Sequence, residues 1–291
     1  MIDIVRNIED MRRWSGERRS EGVRIGLVPT MGALHEGHLS LVRRALALSD
    51  RVVVSVFVNP TQFGAGEDLE RYPHDLEGDT QKLESLGAHV IFSPDSAAMY
   101  PAGYSTYVTV EKLTEGLCGR SRPVHFRGVT TVVSKLFTIV MPHVAVFGQK
   151  DAQQLAVIRR MTRDLNLDVK IEACPIIREP DSLAMSSRNS YLSEEERRQA
   201  PLIYRALCAG EELAQSGKTV SADIIARVRE VLSEVPLAET EYVEVVDADE
   251  MTPVEEIPGT ALLAVAVRFG STRLIDNVVL NTGDLLERKG Q

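Results

Sequence analysis

The chain carries the segment Met31-Gly-Ala-Leu-His35-Glu-Gly-His38 between an apolar run and an amphipathic stretch. A loop that leaves a strand and enters a helix presents backbone N–H groups that have no intrahelical partner. The helix dipole favours an anion at the same place. Gly32 and Gly37 permit close approach of backbone to phosphate. His35 and His38 stand three apart, so both fall on the first helical turn. As imidazolium donors they would meet negative charge developing on a phosphoryl group. The pair also reads as a helix cap beside one exposed ring, or as half of a metal site with no further His or Cys ligands evident. Glu36 reads as solvated.

Four more segments hold groups of the right kind. Phe57-Val-Asn59-Pro-Thr-Gln62-Phe63-Gly64 offers two neutral amides for hydroxyl and carboxylate recognition, and Phe63 as an apolar wall. The same residues also suit an Asn-Pro turn. Glu77 and Asp79 follow as a candidate Mg²⁺ site, or as a solvated helix face. Residues 120–128 contain Arg120, Arg122, His125 and Arg127, an anion-neutralising loop or an exposed basic one. Gly148-Gln149-Lys150-Asp151 precedes Gln154 by one helical turn, with Lys150 placed to reach a phosphate. Met185-Ser186-Ser187-Arg188 reads as a polyphosphate grip.

Positioning these groups requires strands and helices in alternation. Residues 24–29, 52–58, 88–93, 144–147 and 169–173 are short apolar or β-branched runs, and 107–110 is a shorter extended piece. Between them lie helical patterns. Leu39, Val42, Ala45 and Leu46 share a face; Asp75 caps a helix ending at Gly87; 128–141 and 151–166 follow. This alternation predicts βαβ crossovers and a mostly parallel sheet, with ligands outside the strand carboxyl ends. The loops after Val28, Val58 and Phe147 should therefore meet in one crevice. From Ser193 the texture changes. A capping box, Ser193 to Glu196, opens a helix reaching about Ser216, then a helix over 222–232 and strands over 242–246, 261–269 and 273–280. The expected fold class is α/β, a parallel-sheet domain over 1–179 and a smaller α+β domain over 180–291.

Composition narrows the function. The chain has 291 residues, 44% of them hydrophobic and 26% charged, as in a globular protein that needs no staples. Its formal net charge of −9 disfavours nucleic acid as a partner. Any anion site must be built locally. Cys118, Cys174 and Cys208 are widely spaced, which points to buried free thiols rather than disulfides. The N-terminus lacks the basic-then-apolar plan of a signal peptide, and no apolar run is long enough to span a bilayer. A cytoplasmic location with no membrane partner is expected.

Taken together, Pro29–His38, Phe57–Gly64, Arg122–Gly128, Phe147–Gln154 and Leu183–Asn189 closely resemble the pantoate–β-alanine ligase family, in order and at family-like spacing across nearly the whole chain. The resemblance implies a Rossmann-like domain of the class I synthetase and nucleotidyltransferase type with a C-terminal lid. It implies a homodimer, ATP as substrate with Mg²⁺, and condensation of pantoate with β-alanine through an acyl adenylate. It assigns ATP contacts to Pro29, Thr30, Met31, Gly32, Ala33, Leu34, His35, Glu36, Gly37 and His38. Further ATP contacts are Gly148, Gln149, Lys150, Asp151, Ile177, Met185, Ser186, Ser187 and Arg188. Pantoate contacts fall to Met31, Asn59, Gln62, Phe63 and Gln154, with Gln62 also near β-alanine; Arg122 and His125 match residues near the site. His38, His35 and Lys150 become the catalytic candidates, and Asp79 the candidate metal ligand. Gln149 stands where Glu is frequent, and Gly78 where some members carry Asp.

Two alternatives remain at this level. A nucleotidyltransferase shares the H-x-G-H loop but gives no account of the amides Gln62 and Gln154. A nucleotide sensor would bind ATP without releasing pyrophosphate.

Overall fold

The computed structural model describes residues 2–282, so the end of the expected second domain, 283–291, lies outside the described residues. The first half alternates as expected: β1 (Asp3–Val5), α1 (Ile8–Ser20), β2 (Ile25–Thr30), α2 (Glu36–Leu48), β3 (Arg51–Val56), α3 (Leu76–Leu86) and β4 (Val90–Phe92). It continues through the short helices α4 (Ser96–Met99) and α5 (Leu117–Ser121), then α6 (His125–Val140), β5 (Val144–Gly148), α7 (Ala152–Asp164) and β6 (Lys170–Cys174). The six strands form one parallel sheet in the order β1-β4-β3-β2-β5-β6. The chain leaves β2 toward β3 on one side, and β5 lies on the other. The strand order therefore reverses at the carboxyl ends of β2 and β5, where a crevice must open.

Apolar layers cover both faces of this sheet. Leu41, Val42 and Ala45 of α2 and Leu83 of α3 pack on one face; Met11 of α1 with α6 and α7 packs on the other. Burial on both sides explains why β3 reads as an unbroken β-branched run. Leu39 and Leu46, expected on the core face of α2, are only half-buried, and Leu41 replaces them there. Asp75 caps α3 by accepting from Gly78 N–H, and Gly87 ends it, as its sequence predicts. Residues 107–110 join no strand among the described residues. The Val108 N–H and carbonyl pair instead with the hydroxyls of Thr131 and Thr130 on α6.

The second half contains α8 (Glu194–Gln199), α9 (Leu202–Gln215), α10 (Ser221–Ser233) and a three-stranded antiparallel sheet, β7 (Ala238–Val246), β8 (Thr260–Phe269) and β9 (Thr272–Asn281). The Ser193–Glu196 capping box forms. The single helix expected up to Ser216 is two, because Pro201 has no N–H to continue the ladder. One face of the sheet packs on α9 and α10. Tyr242, Leu262, Ala264 and Ala266 on the other face pack against Leu113, Leu117, Phe126 and Val157 of the first half. The two halves thus share an apolar seam. Cys118 and Cys174 are buried and Cys208 half-buried, all as free thiols.

Candidate active site

A cleft of about 230 Å³ opens at the β2/β5 switch point. Its floor is Pro29, Thr30 and Met31 at the end of β2, and Phe147 and Gly148 at the end of β5. His35, Gly37 and His38 form one side with Lys150, Asp151 and Gln154. Asn59 and Gln62 enter from the turn after β3; Ile177 and Met185–Arg188 come from the segment after β6. All five motifs therefore supply side chains to one space. A second cavity of about 430 Å³ adjoins it, with Arg122, His125, Lys150, Asp151 and Arg188 on the shared wall.

The 31–38 loop is held from outside at its middle. Gly32 has φ +86°, and a Cβ there would sit 3.1 Å from Val56 and 3.2 Å from Asp79 Oδ2. Leu34 N–H donates to Asp79 Oδ1 at 2.7 Å, and Lys82 Nζ donates to Leu34 O at 2.9 Å. The Ser187 hydroxyl donates to Ala33 O at 3.2 Å. Gly32, Ala33 and Leu34 thus face away from the cleft, and Leu34 is core. In this structure they scaffold the loop, and packing and backbone conformation alone already require glycine at 32. Glu36 also points outward, paired with Arg43 on the surface of α2.

The two histidines cap α2 and one another. His35 Nδ1 accepts from Gly37 N–H at 3.1 Å, and His38 Nδ1 accepts from His35 N–H at 3.4 Å. Their rings lie 4.1 Å apart. An Nδ1 that accepts leaves the proton on Nε2, so both rings are N–H donors in their neutral form. Burial, reinforced by the Lys150 charge, lowers the His35 pKa to about 4. Burial and the His35 ring lower that of His38 to about 3. Both shifts favour the neutral ring, so near pH 7 the free protein presents neutral donors. Among the described residues Lys150 makes no ion pair, although Asp151 lies on the same wall.

Elsewhere the polar groups are already engaged. Asn59 is buried and fully paired. Its Nδ2 donates to Gln62 Oε1 (3.0 Å) and Gly128 O (3.1 Å), while Oδ1 accepts from the Tyr100 and Thr61 hydroxyls. Asn59 orients Gln62 and keeps no polar atom for pantoate. The Gln62 Nε2 meets only Met31 Sδ, at 3.1 Å, a weak acceptor. Arg188 forms a two-point pair with Asp68 at 2.8 and 2.9 Å. Arg122 pairs likewise with Glu67, and His125, lowered to about 4 by burial and Arg122, meets Gln62 O at 3.1 Å. Asp151 does not cap α7, because the chain first makes a tight turn over Gln149–Asp151; its side chain borders both cavities.

Three more expected site residues lie off the cleft. Phe63 is buried edge-on against Tyr72, with ring centroids 6.2 Å apart. Gln149 is exposed. Asp79 is fully buried behind the loop, where its Oδ1 accepts from Leu34 N–H and so supports the loop. Among the described residues no group of three His, Cys, Asp or Glu side chains is clustered to hold a metal ion. Sequence reading missed the apolar wall, which comes from Val129, Val132, Val133 and Leu136 of α6. Their i, i+3, i+4, i+7 spacing signals a helix face, but reads as ordinary core.

The chain matches the family model described as pantoate-beta-alanine ligase over residues 3–279. It is 57% identical to the pantothenate synthetase of Heliobacterium modesticaldum over 95% of this chain and 99% of that one. Against the Thermotoga petrophila pantothenate synthetase it is 55% identical, over 96% and 100%. Its fold superposes on the crystal structure of the Thermus thermophilus pantothenate synthetase with TM-score 0.91 at 45% identity, covering 95% of this chain and 99% of that one. A Francisella tularensis pantoate-beta-alanine ligase, crystallised as a complex with beta-gamma ATP and beta-alanine, gives TM-score 0.78 at 33% identity over 96% and 98%. With a family match, a sequence identity and a fold that agree with these relatives over nearly its full length, the chain belongs to the pantoate–β-alanine ligase family.

Proposed function

We propose that the cleft performs an ATP-dependent ligation in two steps. A pantoate carboxylate oxygen attacks the α-phosphorus of ATP, and the bond to pyrophosphate breaks. The amine of β-alanine then attacks the acyl carbon of the adenylate. The C–O bond to AMP breaks, the nitrogen loses a proton, and pantothenate is formed. A free carboxylate is a poor acylating agent; adenylation gives it a good leaving group.

The observation that carries this reading is the arrangement of unengaged donors around one cleft. Two neutral Nε2–H groups and the unpaired Lys150 ammonium share a wall at the end of β2 and β5. They are the groups we assign to the α-phosphate and the departing pyrophosphate. Attack at phosphorus needs position and charge stabilisation more than covalent participation. The Gln62 Nε2 and Gln154 amides suit the hydroxyl and carboxylate groups of pantoate, with Gln62 also bordering the β-alanine path. The α6 face, Val129 to Leu136, suits its two methyl groups. Mg²⁺ belongs with ATP as substrate, because this ion keeps several waters and binds through phosphates where a protein offers few carboxylates. The second half closes over the cleft as a cover, held to the first half by the apolar seam they share. Family membership alone supports a homodimer and a cytoplasmic location; sedimentation at twice the chain mass checks the first.

The deciding experiment is exchange of labelled pyrophosphate into ATP, with pantoate present and amine absent. Exchange is expected. Its absence in folded protein that still makes pantothenate would rule out the adenylate.

A further inference from the structure

The C-terminal sheet reaches past the apolar seam to the backbone of the catalytic turn. Asn277 of β9 is buried, and its Nδ2 donates to Gln149 O and to Lys150 O, both at 3.0 Å. Its neighbour Asp276 is buried too. Asp276 takes both ends of the Arg178 fork, at 2.6 and 3.0 Å. Arg178 follows the cleft residue Ile177, donates to Ser182 O at 3.2 Å and stacks 3.6 Å over the Tyr204 ring of α9. Consecutive strand residues point to opposite faces. One dipeptide therefore grips two cleft segments, one from each side of its sheet. Asp276 Oδ1 also accepts from Asn277 N–H at 2.8 Å, which ties the two grips together.

The turn over Gln149–Asp151 is a single turn of 3₁₀ helix, preceded by Gly148, which has no side chain to cap it. Its two leading carbonyls find their donor on another element, 127 and 128 residues along the chain. A lysine on a flexible stem is placed by its backbone, and Lys150 has no ion-pair partner to hold its head among the described residues.

We propose that Asn277 is a positioning residue for Lys150, so that docking of β9 sets the ammonium where charge develops on ATP. The inference rests on the proposed role of Lys150. The amide fixes the turn, and without that donor the ammonium is no longer aimed.

The test uses the full chain and pyrophosphate–ATP exchange with pantoate. Variants N277A, N277D and K150A, and the double variant K150A/N277A, are compared at saturating substrates. N277D keeps the shape but replaces the donor with an acceptor facing two carbonyls, and urea unfolding of every variant separates loss of fold from loss of position. Both Asn277 variants are expected to lower kcat about 10- to 100-fold, the range for a misplaced catalytic group. The KM for ATP should change less than kcat. The decisive readout is the double variant, which should exchange within about twofold of K150A, because Asn277 acts through a side chain already removed. A merely structural role predicts that the two losses multiply, and that result would overturn the inference, as would wild-type kcat in either Asn277 variant. Wild-type exchange in K150A would overturn the role of Lys150 itself and the inference with it. A crippled K150A beside a healthy N277A would overturn the inference alone.

Discussion

Two walls of the same cleft handle charge in opposite ways. On the wall formed by His35, His38 and Lys150, the imidazoles are neutral and the ammonium has no carboxylate partner among the described residues. On the wall formed by Arg122 and Arg188, each guanidinium is matched by a carboxylate of one short segment, Glu67 and Asp68. The first wall is complementary to negative charge that has yet to appear. The second is already neutralised, so phosphate must displace a carboxylate before it gains an arginine. Stabilisation that appears only as charge develops raises kcat, whereas an exchange of one anion for another mainly sets affinity. The contrast predicts which substitutions alter rate and which alter binding.

The largest effects should come from the first wall. K150A and H38A are each expected to lower pantoate-dependent exchange about 100- to 1,000-fold, the usual cost of losing one donor to a developing charge. R188A should act chiefly on the KM for ATP, by about 10-fold, the worth of one charge-assisted hydrogen bond. Steady-state kinetics of the three variants would break the comparison if R188A were the one to abolish kcat.

Next comes the support behind the first wall. Asp79 reaches no cleft surface, yet holds Leu34 N–H at the middle of the loop. D79A should lower kcat by roughly 10- to 100-fold through misplacement of His35 and His38. It should also cost about 1–3 kcal/mol in urea unfolding, because a buried N–H loses its acceptor. Wild-type kcat in a destabilised D79A would mean that the loop keeps its shape without the clamp. On the second wall, D68N removes the charge that competes with phosphate for Arg188. It is expected to lower the KM for ATP several-fold, within the ~10-fold worth of such a bond, and to lower Tm at the same time. An unchanged KM would show that Arg188 does not exchange partners.

These contrasts also mark what the sequence could reveal. The parallel sheet was legible because strands buried on both faces read as unbroken β-branched runs, and α3 because Asp75 and Gly87 stop it at both ends. β1 and α1 have no such signal: β1 has three residues, and α1 is so polar that only Met11 and Ser15 are buried. The motifs identified the segments of the site, but not which way each side chain turns. Phe63 and Gln149 sit in the right segments and face away. Asn59 faces the cleft, yet its hydrogen bonds are used up by Gln62, Gly128 and Tyr100, partners up to 69 residues distant. Orientation depends on such long-range contacts, and so does the grip of Asn277 on the catalytic turn; neither has a local pattern. Protonation was likewise hidden, because it depends on burial that only the packed chain creates.

That protonation state bears on stability rather than on rate, and it gives the sharpest check on the first wall. His35 and His125 have pKa values lowered to about 4, and His38 to about 3, with burial the leading cause in each. In the unfolded chain the same groups titrate near 6.5. Between about pH 6.5 and pH 4 the unfolded chain therefore binds protons that the folded chain does not. Stability must fall as pH falls through that window, by at most about 1.4 kcal/mol per pH unit for each histidine. The loss is complete only near pH 3, where the last folded-state ring protonates. Urea midpoints at pH 7.5, 6 and 5 should decline in that order, and the slope should flatten in H35A/H38A, which leaves only His125 among the three. A flat profile in the parent protein would mean that the rings carry protons in the fold. The first wall would then be charged before ATP arrives, and its contrast with the arginine wall would disappear.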